Sequence, residues 1–179
     1  GNHLAWDQTM RLGYFTYSQR GEAERLMLEL ATALDAQGTA LLGILAEPSP
    51  PEDRTKIVRL LPRDERINIW QYLGGETESC RLNPEALENA VESTVRAIAE
   101  ARSGTLVMVN KFGKHEIEEG GGTRSLIWAA LEAGLPALVP VPEDARASFE
   151  EFADGLAEAL EPSPDALMGF AQSALAECS

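Results

Sequence analysis

The chain has 179 residues, of which 44% are hydrophobic and 25% charged, and it carries a formal net charge of −14. That length suits one well-packed domain, and no stretch approaches the roughly 20 apolar residues that a membrane span requires. The acidity opposes long-range steering of DNA or RNA, which sets nucleic acid aside as a partner, and it also serves as a solubility setting.

Residues 1–10 read as a tag remnant or disordered tail, since Gly1 is not an ordinary translation start, and residues 11–179 as a single α/β domain. No apolar signal segment stands near the start, and Cys80 and Cys178 form neither a disulfide framework nor a zinc pattern. The expected compartment is the reducing cytoplasm.

Leu12 to Tyr17 predicts a first strand. The turn Ser18-Gln19-Arg20-Gly21 leads into a helix with apolar residues at Ala23, Leu26, Met27, Leu30, Ala31 and Leu34, which Gly38 is placed to end. Ala40 to Ala46 predicts a second buried strand, joined to the first by a right-handed parallel crossover. Pro48 interrupts the pattern, after which residues 55–61 and 67–73 predict two shorter strands, appended to the main sheet as an antiparallel pair.

Asn83 is placed to cap a helix whose first turn carries Pro84 and Glu85. This helix buries Leu87, Val91, Val95 and Ile98, with Arg96 and Arg102 toward its favourable C-terminal end. Residues 106–109 predict a strand buried on both faces, and a helix with Leu126, Ile127, Ala130 and Leu131 follows, stopped by Gly134. Residues 136–141 predict a further strand whose flanking prolines favour an outer position or a strand end. Two helices close the chain, one with Phe149, Phe152, Leu156 and Leu160, the other after Ser163-Pro164 with Leu167, Met168 and Leu175. Trp70, Trp128, Phe149 and Phe152 fall at core-like positions and are read as packing residues. The alternation predicts an α/β fold of three layers with a mostly parallel sheet.

The chemistry concentrates after the 106–109 strand, in Asn110-Lys111-Phe112-Gly113-Lys114-His115-Glu116 and then Gly120-Gly121-Gly122-Thr123-Arg124. Polar residues just past a buried strand lie at the carboxyl edge of a sheet, where open α/β folds bind ligands. Lys111, Lys114 and Arg124 can grip a phosphate or an oxyanion, and Asn110 can orient a ligand or water. Glu116 can bind magnesium or act as a base, while Gly120, Gly121 and Gly122 permit close backbone approach or loop closure. The competing reading is a solvated excursion, because Glu116, Glu118 and Glu119 nearly neutralise the loop. Around Ser18, Arg20 and Gly21 the helix start can accept an anion, but Glu22 and Glu24 compete for the same dipole, and an ordinary capped turn is equally consistent. His115 and Glu116 are adjacent and do not aim at one ion, so no transition-metal site is expected. Cys80 is read as structural.

The segment from Asn110 to Arg124 resembles the signature of an uncharacterised bacterial family, the domain of unknown function numbered 2478, approximately Asn-Arg-Phe-Gly-Lys-x-Glu-x-x-Gly-x-Gly-x-Arg. A second piece, Leu73-Gly74 leading into Cys80-Arg81-Leu82-Asn83-Pro84, resembles the family's Gly-Cys-Arg-Leu-Asp-Pro, with Ser79 for glycine and Asn83 for aspartate. The match extends over residues 13–160, with one extra residue between Glu116 and the glycines. The resemblance implies a diverged P-loop nucleoside triphosphatase fold and a link to molybdenum or molybdate transport. In the related triphosphatases the strand ends in Asp-Glu, which Asn110 and Lys111 replace here, while Gly113 and Glu116 remain.

The turn at residues 17–25 lacks the Gly-Lys-Ser/Thr ending of a phosphate loop, so ordinary ATP hydrolysis is not expected. The expectation is a non-hydrolysing accessory or regulatory protein that binds a nucleotide with magnesium, phosphate or a molybdate-type oxyanion. One alternative is an active magnesium-dependent triphosphatase using Glu116. The other is a protein-interaction module without a small ligand.

Overall fold

The computed structural model describes residues 11–48, 57–62, 65–72, 80–82, 84–113 and 122–177. Among the described residues, nine strands and five helices run in the order β1 (Leu12–Tyr17), α1 (Glu22–Ala36), β2 (Ala40–Ala46), β3 (Ile57–Leu61), β4 (Glu65–Asn68), β5 (Trp70–Tyr72), β6 (Cys80–Leu82), α2 (Pro84–Ala99), β7 (Thr105–Met108), α3 (Arg124–Glu132), β8 (Ala137–Pro142), α4 (Arg146–Ala153), β9 (Ala157–Ala159) and α5 (Pro164–Glu177). A 3-10 turn, Glu143–Ala145, leads into α4.

The main sheet has seven strands in the order β4-β3-β2-β7-β8-β1-β9, and β5 pairs with β6 in a separate two-stranded ribbon. From β2 to β9 the pairings are parallel, while β2–β3 and β3–β4 are antiparallel, which is the appended pair that the sequence predicts. The strands linked by α1 are not neighbours, because β8 and β7 lie between β1 and β2.

Continuous apolar runs give strands buried on both faces, since successive side chains point to opposite sides. Leu106 and Met108 join Phe15, Leu45 and Leu138 under α1 and α5, with Leu26, Met27, Leu30, Leu167 and Phe170. Val107 and Val109 join Tyr14, Ile44 and Val139 on the other face, under α2, α3 and α4, with Leu87, Ile98, Leu126 and Phe149. At Gly43 in β2, φ is +135° and an added Cβ would lie 1.9 Å from the Met108 carbonyl oxygen. Only glycine allows β2 to approach β7 this closely.

Three elements differ from expectation. The strand holding the prolines is interior, because the pairing spares its missing N–H groups. Val107 and Val109 donate to the carbonyls of Pro136 and Leu138, and Ala137 donates to Arg11, so even-numbered β8 residues face β7 and odd-numbered ones face β1. The next parallel rung would need an N–H at Pro140 for the Val109 carbonyl. None exists, and β7 ends at Met108, one residue before the expected Val109.

The expected helix through Phe149, Phe152, Leu156 and Leu160 stops at Ala153, where Asp154 (φ 49°) and Gly155 (φ 80°) turn the chain left-handed. Leu156 is then 42% exposed, and Ala157–Ala159 forms the edge strand β9 beside β1. The expected strand at residues 67–73 is instead two, β4 and β5, separated by the buried Ile69. Asn83, residues 1–10 and residue 73 lie outside the described residues.

Candidate strand-edge binding site

β7 and β1 run parallel with β8 between them, so both deliver their following residues to the same carboxyl edge of the sheet. At β7, Asn110 is half-buried and its Oδ1 is buried with no hydrogen-bond partner. A buried carbonyl-type oxygen left unpaired costs about 1–3 kcal/mol, so its persistence calls for a reason. Lys111 is half-buried, and its stem covers the buried Gly113, where an added Cβ would meet Lys111 Cε at 2.8 Å. Phe112 turns inward, fully buried, and its N–H donates to the Pro140 carbonyl at 3.0 Å.

The far end of the loop returns through Gly122, whose φ is 63°, and the fully buried Thr123. Thr123 does not cap α3 with its side chain; its Oγ1 donates instead to the Lys111 carbonyl at 2.8 Å. Arg124 opens α3 with its guanidinium carbon 5.7 Å from the Phe112 ring centre and 5.1 Å from that of Phe152. Its Nε is buried without a partner. Asn110, Lys111, Gly113, Gly122 and Arg124 are thus gathered at one place. Lys114, Glu116, Gly120 and Gly121 lie outside the described residues.

Behind Arg124 the aromatic cluster is continuous. Phe112 stands edge-on to Phe149 at 5.1 Å, Tyr14 lies 4.8 Å from Phe149, and Trp128 meets Phe152 at 5.7 Å. Burial pushes the Tyr14 phenol up from its ordinary value, and the nearby Glu150 carboxylate adds to the rise. Trp128 departs from its expected packing role, being 49% exposed, and the side chain of Trp70 lies outside the described residues.

Around β1 the arrangement is plainer. Ser18 and Arg20 are exposed, and Gly21 takes φ 83° at the N-terminus of α1, where no side chain caps the helix. Glu22 and Glu24 fill the first turn, and Glu24 Oε2 is buried without a partner. These residues share the carboxyl edge with the Asn110 group but stand two strands away from β7. Glu24 and Thr123 were not legible as site residues, because their burial depends on elements far along the chain.

Two clefts open elsewhere, beside the amino end of β2. One of about 260 Å³ is lined by Leu28, Thr32, Asp35, Arg59 and Pro62, and another of about 590 Å³ by Leu60, Glu65, Ala97, Arg102 and Thr105. Both sit at the opposite end of the sheet from Asn110. Among the described residues no group of three or more His, Cys, Asp or Glu is placed to hold a metal ion, and no helix is long and apolar enough to cross a membrane.

The fold is shared with solved structures of low sequence identity. THEP1 from the hyperthermophile Aquifex aeolicus superposes with a TM-score of 0.58 at 11% identity, over 92% of this chain and 95% of that one. A human cancer-related nucleoside triphosphatase superposes with a TM-score of 0.62 at 10% identity, over 93% and 96%. In sequence, the chain is 28% identical over 154 residues to the molybdenum import ATP-binding protein ModC 2 of Bradyrhizobium diazoefficiens, covering 84% of this chain but 17% of that protein's length. The family described as "Protein of unknown function (DUF2478)" matches residues 12–169, and the chain belongs to it.

Proposed function

We propose that this member of the family binds a nucleotide, phosphate or molybdate-type oxyanion at the carboxyl edge of β7, without hydrolysing it, as an accessory or regulatory protein in molybdenum handling. The observation that carries the reading is the pair of orphaned buried atoms, Asn110 Oδ1 and Arg124 Nε, held at the two ends of one loop by the Thr123–Lys111 hydrogen bond. A donor and an acceptor without partners beside a cation are what an oxyanion or phosphate ester and its attendant water or metal would satisfy. Lys114 and Glu116 join the same loop in sequence. The net charge of −14 opposes anions at long range, but its effect is screened beyond about 10 Å, and the local cations govern capture.

The fold neighbour named as a nucleoside triphosphatase supports a nucleotide, and the ModC 2 similarity supports the molybdenum link. The chain spans 17% of that relative's length. The turn after β1 supports the non-hydrolysing reading. Where a phosphate loop carries Lys and Ser or Thr after its glycine, Gly21 is followed by Glu22 and Ala23. Acidic side chains in that first turn take up the helix dipole that a phosphate would use.

Magnesium, which the triphosphatase fold implies, seeks hard oxygen ligands. Asn110 Oδ1 and Glu24 Oε2 are buried oxygens without partners and fit such an ion in kind, with Glu116 as a further carboxylate. When bound, magnesium would neutralise phosphate charge. These orphaned oxygens also favour the second reading, a magnesium-dependent triphosphatase, which predicts phosphate release abolished in Glu116→Ala.

Thermal stability against nucleoside di- and triphosphates with and without magnesium, phosphate, molybdate and tungstate tests the proposal, since a ligand of the native state raises the midpoint by mass action. The expected result is a rise lost in the Lys114→Ala, Arg124→Ala double variant. No rise with any of them rejects the site.

A further inference from the structure

The aromatic cluster contains one member that packing does not account for. Trp128 is 49% exposed and is the largest apolar side chain on α3, whose buried residues are Leu126, Ile127, Ala130 and Leu131. It stands four residues after Arg124, so the two side chains share one face of α3. Both touch the same ring: the Arg124 guanidinium carbon lies 5.1 Å from the Phe152 centre, and the Trp128 ring centre lies 5.7 Å from it with the planes at 74°. Side chains on a helix lean toward its N-terminus, so the indole leans toward the turn that carries Arg124.

We propose that the open half of Trp128 is a stacking subsite for the aromatic base of a nucleotide whose phosphates lie at Arg124 and the Asn110 loop. This rests on the reading of the loop as a phosphate site and narrows its ligand from anions in general to nucleotides. Three features argue for it. A near-perpendicular contact with Phe152 holds the indole plane fixed, so a stacked base meets a surface already ordered. The guanidinium and the indole meet on one ring and therefore lie within the span of a single nucleotide. The guanidinium rests against the adjoining Phe112 and Phe152 rings, whose centres are 5.2 Å apart, which places the cation relative to the indole before any ligand arrives.

The subsite reads a π-face and not a hydrogen-bonding edge, so it discriminates by ring size. Purine nucleotides bind more tightly than pyrimidine nucleotides, and adenine and guanine are distinguished weakly.

The test compares ADP, GDP, CDP and inorganic pyrophosphate on the full chain by calorimetry and by tryptophan fluorescence, in the parent protein and in Trp128→Ala and Trp128→Phe. Stacking predicts quenching by ADP and GDP that disappears in both variants. It also predicts ADP affinity about tenfold to a hundredfold lower in Trp128→Ala, largely restored in Trp128→Phe, and pyrophosphate affinity the same in all three. Equal affinity for ADP and pyrophosphate in the parent, or an unchanged ADP affinity in Trp128→Ala, overturns the stacking subsite and leaves the phosphate site standing. No binding of ADP, GDP, CDP or pyrophosphate to the parent, while molybdate or phosphate still binds, overturns the subsite and returns the loop to a simple oxyanion site. No binding of any of these anions overturns both.

Discussion

Thr123 Oγ1 donates a 2.8 Å hydrogen bond to the carbonyl of Lys111, joining the residue that precedes α3 to the third residue after β7 across the whole candidate loop. Thr123 is fully buried, so water cannot replace the bond. Thr123→Val keeps the shape and removes the donor. Chemical denaturation should show a loss of about 1–2 kcal/mol, Thr123→Ser should recover most of it, and ligand-induced stabilisation should fall with the bond.

Arg124 shows the opposite balance between stability and function. Its guanidinium packs on two rings, but its Nε is buried without a partner. Arg124→Met keeps an apolar stem over Phe112 and Phe152 and removes the orphaned donor. Its unfolding free energy should stay within about 1 kcal/mol of the parent, whereas the thermal response to phosphate or nucleotide should vanish. A stability loss of several kcal/mol would mean that Arg124 is structural.

Gly43 and Gly38 separate two causes of glycine use. An added Cβ at Gly43 would stand 1.9 Å from the Met108 carbonyl oxygen, whereas nothing lies within 4 Å of one at Gly38, where φ is +82°. Gly38→Ala should cost about 1 kcal/mol of backbone strain. Gly43→Ala must push β2 from β7 and should cost more than about 3 kcal/mol, measured by urea denaturation. Because β7 carries Asn110, this variant should also weaken ligand binding at temperatures where it remains folded.

Glu47 sits between Arg66, at 2.7 and 2.9 Å, and Arg59, at 2.7 Å, beside the β2–β3 pair. The Arg66 hydrogen bonds, helped by Arg59 and opposed by partial burial, lower its pKa from 4.5 to about 2. The native state therefore holds fewer protons than the unfolded chain between those values. The stabilisation is present above pH 4.5 and is lost as pH falls toward 2, by about 1–2 kcal/mol after solvent screening at the exposed Arg66. Glu47→Gln should flatten the stability profile in that window and leave it unchanged in shape above pH 6.

The sequence revealed β1 and β2 to the residue because each is an uninterrupted apolar run between turns, a pattern that burial on both faces requires. It did not reveal β9, where Ala157–Ala159 has no large or β-branched side chain and owes its strand form to the free edge of β1. Of the two placements the prolines favoured, β8 does not take the outer position, since proline is tolerated according to which neighbour its nitrogen faces, whereas Pro142 does stand at a strand end. At the site, a polar loop after a buried strand was visible locally. The hold on Arg124 was not, because Phe152 reaches it from α4, beyond a further strand. Glu24 looked like a simple competitor for the helix dipole until the packing of α1 buried one of its oxygens.

The placement of Pro140 also sets how far the candidate loop can be drawn into the sheet. A strand that adds rungs is stabilised by each one, so β7 would gain by zipping onward along β8 and straightening Asn110 and Lys111 into extended chain. Pro140 denies the first such rung, and the backbone must leave the sheet and come back as Phe112, whose N–H reaches the Pro140 carbonyl at 3.0 Å. The residues between, Asn110 and Lys111, are held apart from the sheet as an arch. A Pro140→Val change would remove that stop: the fold would lose little stability, and the arch would flatten.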